Sequence, residues 1–225
     1  YFNLLCSDLS SFSLARAVTA SSAVPVLFDP VVVENYAGCA KALPQWLIDA
    51  RKRTGNDADL RMVVDDDSAY SDKDGHRYAH FVDGGITDNL GLRAMLEAVE
   101  VLGGAKGFLQ TLQIQPPRRI AVIAVNAAAD TRQGIDASVL QPTIEQTLNA
   151  VTNIQLYRYN TDTLQDMQQS LARWTQQLST PQRPVDAFFI RLSFEDVPDL
   201  PLRRFLNEIP TSLALSDEQV DQLIA

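Results

Sequence analysis

Residues 120–125 read I-A-V-I-A-V, an unbroken apolar run. It is far too short to cross a bilayer, which takes about 20 apolar residues. It also lacks the apolar–polar alternation of a strand with one wet face. Ile120–Val125 therefore reads as a strand buried on both faces, as in a parallel sheet under helices. The chain that follows agrees. Ile144–Thr180 is helical, with an inner stripe of Leu164, Met167, Leu171, Trp174 and Leu178. Phe188–Phe194 is again a strand.

The rest of the chain alternates in the same way. Tyr1–Leu5 reads as a short strand, and Ser13 as the N-cap of a helix over Leu14–Ala23 that Pro25 helps to stop. Val26–Val33 is apolar, β-branched and extended. A helix is expected around Leu43–Arg53, within Ala37–Thr54. Gly55–Gly75 carries D-D-D at Asp65–Asp67 and D-K-D-G at Asp72–Gly75, and reads as an exposed loop or hairpin rim. Arg77–Val82 is a strand. Leu92, Met95, Leu96, Val99 and Leu102 recur at helical spacing, and Gly103 and Gly104 end that helix. Leu202–Asn207 and Asp217–Leu223 are short closing helices. The expected fold class is α/β, with a mainly parallel sheet flanked by helices. No linker divides residues 1–225, which read as a single domain.

The 225 residues are 46% apolar and 21% charged, as in ordinary globular chains. A net charge of −9 excludes a nucleic-acid binder, whose phosphate partner demands clustered Lys and Arg. It also disfavours anionic lipid, although peripheral membrane contact through an apolar rim stays open. No transmembrane segment or signal-peptide pattern is present in this chain, so a soluble or peripheral protein is expected, its compartment unassigned. Cys6 and Cys39 are either buried small residues or one optional bridge. The chain enters Y-F-N-L-L directly at Tyr1, which resembles the middle of a fold; a fragment, processed product or trimmed piece is the expectation.

One stretch carries candidate chemistry: H-F-V-D-G-G-I-T-D-N-L-G-L, residues 80–92. Asp83 stands at the end of a strand, where sites of α/β sheets gather. Gly84 and Gly85 remove side chains, permit positive φ and let another group approach the backbone. Asp88 or Asn89 is placed to cap the next helix. The arrangement suits a carboxylate acting as general base or orienting group. The bland alternative is a plain Asp-Gly turn.

A second segment adds weight: L-A-R-A-V-T-A-S-S-A-V-P-V-L-F-D-P, residues 14–30. Its Ala17, Ala20, Ser21, Ala23, Pro25, Phe28 and Pro30, together with Asp83-Gly84-Gly85, resemble the C-terminal half of bacterial patatin-like phospholipases. The closing F-L-N-E-I-P-T-S-L-A-L-S-D-E-Q-V-D-Q-L-I is similar to bacterial members too. The resemblance implies a three-layer architecture that lacks its N-terminal portion here. It also implies a lipid acyl hydrolase with a Ser-Asp dyad, in which Asp83 is the base, acting on a lipid or acyl-ester substrate without cofactor or metal. The chain departs from that pattern: no Gly-x-Ser-x-Gly elbow occurs in it, nor the glycine-rich oxyanion loop. The nucleophile would then come from a missing N-terminal segment or a companion chain, and this chain alone would be inactive.

Other constellations carry less. His76 and His80 on a strand would stand ~13 Å apart, too far to share a metal. A calcium loop around Asp72–Gly75 would need ligands at Tyr70 and Phe81, which have no carboxylate. Gly103–Gly107 reads as a helix-ending turn, Ser21 and Ser22 as packing or capping residues, and Trp46 and Trp174 as core or rim. Two rival functions stay open. One is a non-catalytic patatin-like protein that binds lipid or a partner. The other is an α/β domain in which Gly84 and Gly85 admit a small phosphate ligand at a helix N-terminus.

Overall fold

The computed structural model describes residues 2–25, 28–38, 42–128, 139, 141, 143–209 and 214–224. Over these the chain is mixed α/β. Its strands fall into two sheets of two strands each, one antiparallel and one parallel, rather than into one mainly parallel sheet.

The parallel sheet pairs β3 (Arg119–Asn126) with β4 (Asp186–Ser193), in register from Arg119↔Asp186 to Asn126↔Ser193. Between them in sequence runs α6 (Ile144–Leu178). Met167, Leu171, Trp174 and Leu178 of α6 are buried, and Leu164 packs beside them, so the expected stripe is the inner one. They meet Ile120, Val122, Ala124 and Phe189 from one face of the sheet. The other face is different. Ile123 and Val125 are 59% and 64% exposed, and their register partners Ile190 and Leu192 are exposed as well. Burial of Ile120–Val125 on both faces is therefore corrected: among the described residues, only one face is covered.

The antiparallel pair joins β1 (Val31–Glu34) to β2 (Tyr78–Phe81). Val33 and Ala79 face each other in register and are buried with Leu5. Where a strand is expected over Tyr1–Leu5, the described residues 2–6 form turns instead. Cys6 N–H donates to the Asn3 carbonyl and Ser7 N–H to the Phe2 carbonyl, at 3.3 and 3.1 Å. These turns send Leu4 and Leu5 into two different clusters, which a straight edge strand would not do. Tyr1, Val26, Leu27 and Cys39 lie outside the described residues. The extended segment expected from Val26 is a strand only at Val31–Glu34.

Gly55–Gly75 is not a loop. Asp57 accepts the Leu60 N–H at 2.9 Å and starts α3 (Ala58–Ala69). Leu60, Val64 and Ser68, four residues apart, form its buried stripe, so Asp65–Asp67 ride on a helix. α3 packs on α2 (Gln45–Arg53), and Leu47, Ala50, Leu60 and Val64 make a second core with Trp46 at its margin.

α4 (Leu92–Val101) bridges the two larger cores, with Val99 in the sheet core and Val101 in the α2–α3 core. Gly103 and Gly104, at φ 94° and 76°, do end α4, but α5 (Gly104–Thr111) begins at once. Burial of Ala105 and packing of Phe108 and Leu109 against the sheet core outweigh the poor helix propensity of glycine there. The remaining helices are α1 (Leu14–Ser21), α7 (Leu200–Asn207) and α8 (Asp217–Ile224), near their expected places. Ser13 caps α1 by accepting the Arg16 N–H at 3.2 Å. Among the described residues no helix is long and apolar enough to cross a membrane.

Candidate functional site

Two residues past the end of β2, Asp83 turns the chain. Its backbone lies at φ −51° and ψ 124°, outside the helical region, and Gly84–Ile86 form one 3₁₀ turn after it. The carboxylate folds back over that turn: Oδ1 accepts the Gly85 N–H at 2.6 Å. The main chain is fixed independently, because Asp83 N–H donates to the Ala23 carbonyl at 3.0 Å. The side chain is half-buried, and Oδ2 receives no hydrogen bond from the described residues. Nor does any described cation pair with it. One carboxylate oxygen is thus held, and the other is left to accept.

The two glycines do different things, and neither does what positive φ would require. The left-handed conformation falls instead on Gly91, at φ 65°, where α4 begins. A Cβ at Gly85 would lie 2.8 Å from Asp83 Oδ1, so this glycine makes room for the carboxylate. A Cβ at Gly84 would meet nothing within 4 Å, so the turn is open on that side. Asp88 caps as expected: its oxygens accept from Arg93 N–H at 3.1 Å and Ala94 N–H at 2.9 Å.

The small-residue segment reaches the site through one bond. Ala20 and Ala23 at the end of α1 are buried, and this close packing brings the Ala23 carbonyl to Asp83. Ser22 Oγ donates to the Val18 carbonyl at 3.0 Å, a back-bond that gives it a capping role. Ser21 is exposed on the last turn of α1. Phe28 and Pro30 are exposed and do not line the Asp83 turn as buried residues.

β2 belongs to the antiparallel pair, so Asp83 does not lie on the parallel sheet where strand ends collect sites. The sequence missed both Ala23 as its anchor and Gly91 as the left-handed residue. The N-L-G that precedes α4 was the available signal for the second.

The weaker constellations resolve structurally. His76 lies tilted at 52° against Tyr70 with ring centroids 5.7 Å apart, and His80 lies on β2 opposite Val32. No group of three His, Cys, Asp or Glu side chains gathers as a metal set among the described residues. In the Gly103–Gly107 segment, an added Cβ at Gly107 would overlap the Leu102 carbonyl, and the Ala105 N–H is taken by Gln177 Oε1 at 3.0 Å. Those glycines serve packing.

Comparison with known proteins gives no match: no family model, no curated protein and no solved structure is similar to the chain.

Proposed function

We propose that the chain is the base-bearing part of a lipid acyl hydrolase of the patatin-like kind. The observation that carries this reading is the state of Asp83: Oδ1 is fixed by the Gly85 N–H, while Oδ2 has no hydrogen bond from the described residues beside an open turn at Gly84. A general base must hold its orientation and keep one acceptor within reach, ~2.6–3.2 Å, of the proton it takes.

The proposed reaction is acyl transfer to a serine supplied by residues outside these 225 or by a companion chain. Oδ2 takes the hydroxyl proton as the serine Oγ bonds to the ester carbonyl carbon. The proton then passes to the leaving alcohol as the C–O bond breaks, and water releases the acyl group by the reverse sequence. Donors for the oxyanion would come from the same outside residues. The uncovered face of the β3–β4 sheet accords with a third layer of that origin. Exposed Leu14 and Val18 on α1 give the apolar contact that a lipid surface would need.

The phosphate-binding alternative is disfavoured by Asp88. Its carboxylate occupies the amide groups at the start of α4 that an anion would use. A protein that binds lipid without hydrolysing it remains the rival, and one experiment separates the two. The complete gene product is assayed with a short-chain p-nitrophenyl ester, with and without Asp83→Asn. Loss of ~10³-fold or more supports the base role. Unchanged turnover overturns it, and no turnover in the wild type favours the binding protein. The purified 225-residue chain should hydrolyse the ester negligibly.

A further inference from the structure

The inner stripe of α6 changes character toward the helix's N-terminal half. Met167, Leu171, Trp174 and Leu178 are buried and apolar, but the stripe continues into Thr163 and Asn160, which are 5% and 6% exposed. Ser170, also buried on α6, is engaged by Arg173 at 2.8 Å. Neither Asn160 nor Thr163 makes a side-chain hydrogen bond among the described residues. Their polar atoms are not sealed off, because no described side-chain nitrogen or oxygen is both fully buried and unbonded. An amide and a hydroxyl thus stand open at positions where an apolar side chain of the same shape would cost nothing in lost hydrogen bonds.

Three contacts fix what they face. Gln177 Oε1 accepts the Ala105 N–H at 3.0 Å, and Arg173 and Trp174 both meet Glu100 at 3.5 Å. These partners lie 72 to 74 residues apart in sequence, so α6 runs beside α4 and the start of α5 in the same direction. The same offset carried back sets Asn160 beside Thr87 and Thr163 beside Leu90, and α6 does pack on the Gly84–Ile86 turn. The Asp83 turn and the two open polar side chains therefore border one place. Residues 83–91 and 160–164 read D-G-G-I-T-D-N-L-G and N-T-D-T-L, without Arg or Lys. An anionic head group has no cation to meet there. An amide and a hydroxyl do suit neutral hydroxyl groups, which both donate and accept. We infer that Asn160 and Thr163 form the subsite for the alcohol side of the ester and bind the free hydroxyls of a neutral polyol such as glycerol. They are specificity-determining residues for the Asp83 site, an assignment that rests on the hydrolase reading.

The test assays the complete gene product with two butyrate esters that differ only in free hydroxyls, glycerol monobutyrate and propyl butyrate. The kcat/KM of the wild type should favour the glycerol ester by about 10-fold or more, because a site that hydrogen-bonds a hydroxyl rejects the analogue without it. Asn160→Leu and Thr163→Val, both close in shape, should each lower that ratio by about 3-fold or more. A wild-type ratio near one, or a ratio unchanged in both variants, overturns the inference and leaves the base role of Asp83 standing. If neither ester is turned over, the hydrolase reading is what fails, and side-chain amide NMR decides the subsite. Glycerol monobutyrate should then shift the Asn160 Nδ2 resonances, identified by their loss in Asn160→Leu. Resonances that do not move overturn the subsite too.

Discussion

The N–H of Asp83 donates to the carbonyl of Ala23 at 3.0 Å, joining the end of β2 to the segment that closes α1. The main chain, not the carboxylate, makes this join, so the side chain is available for chemistry. Asp83→Asn keeps an oxygen for the Gly85 N–H and loses the charge. It should change unfolding free energy by less than about 1 kcal/mol in urea melts. Asp83→Leu removes the acceptor and should cost about 1–2 kcal/mol, as loss of a capping oxygen does. A large stability loss in Asp83→Asn would place the carboxylate in the fold rather than in a site.

Gly84 and Gly85 should respond unequally to alanine. Neither has positive φ, so backbone strain does not decide the outcome. At Gly85 the new methyl would stand 2.8 Å from Asp83 Oδ1 and push the carboxylate off the Gly85 N–H. A cost of about 1–2 kcal/mol is expected there, and less than about 0.5 kcal/mol at Gly84, where the space is empty. Equal costs would show that the turn is not held by the Asp83 side chain.

Asp67 and Glu97 give the chain an acid-side signature. Burial raises the Asp67 carboxyl, and neighbouring Asp66 adds to it. Burial likewise raises Glu97; Asp88 and Asp67 push it further, against the pull of Arg93. For a carboxyl raised by folding, the charged form is penalised in the native state. The penalty acts above the folded value and vanishes as pH falls through it toward the unfolded value. Asp67→Asn should therefore be more stable than wild type at pH 7, and the difference should shrink as pH falls toward about 4. Urea midpoints at a series of pH values measure this. A difference constant with pH would mean that charge is not the cause.

Periodic elements were legible in the sequence and singular ones were not. The stripe of α6 and the cap from Asp88 follow from local spacing, and both stand where expected. α3 was missed because three aspartates and two flanking glycines outweighed Leu60–Val64–Ser68 and the Asp57 cap, which were equally visible. α5 was missed because Gly103 and Gly104 read as a stop, whereas tertiary packing of Ala105 carries the helix on. The position of Asp83 was readable from its own motif. Its anchor at Ala23 was not, since nothing local links two distant segments.

The I-A-V-I-A-V run has the composition of a doubly buried strand, yet its exposed half sets a sharp contrast between neighbours. Val122 points at Met167 and its companions, while Ile123 points away, paired in register with exposed Ile190. Val122→Ala removes core contacts and should cost about 1–2 kcal/mol, below the range for larger, fully buried chains. Ile123→Thr keeps a β-branched residue on the strand and should cost less than about 0.5 kcal/mol. Combining it with Ile190→Thr should lower light scattering of the purified chain, because a contiguous apolar patch on a sheet face promotes association. Urea melts and scattering at matched concentration read both effects. If Ile123→Thr costs as much as Val122→Ala, the outer face is covered in solution and the sheet is not one-sided.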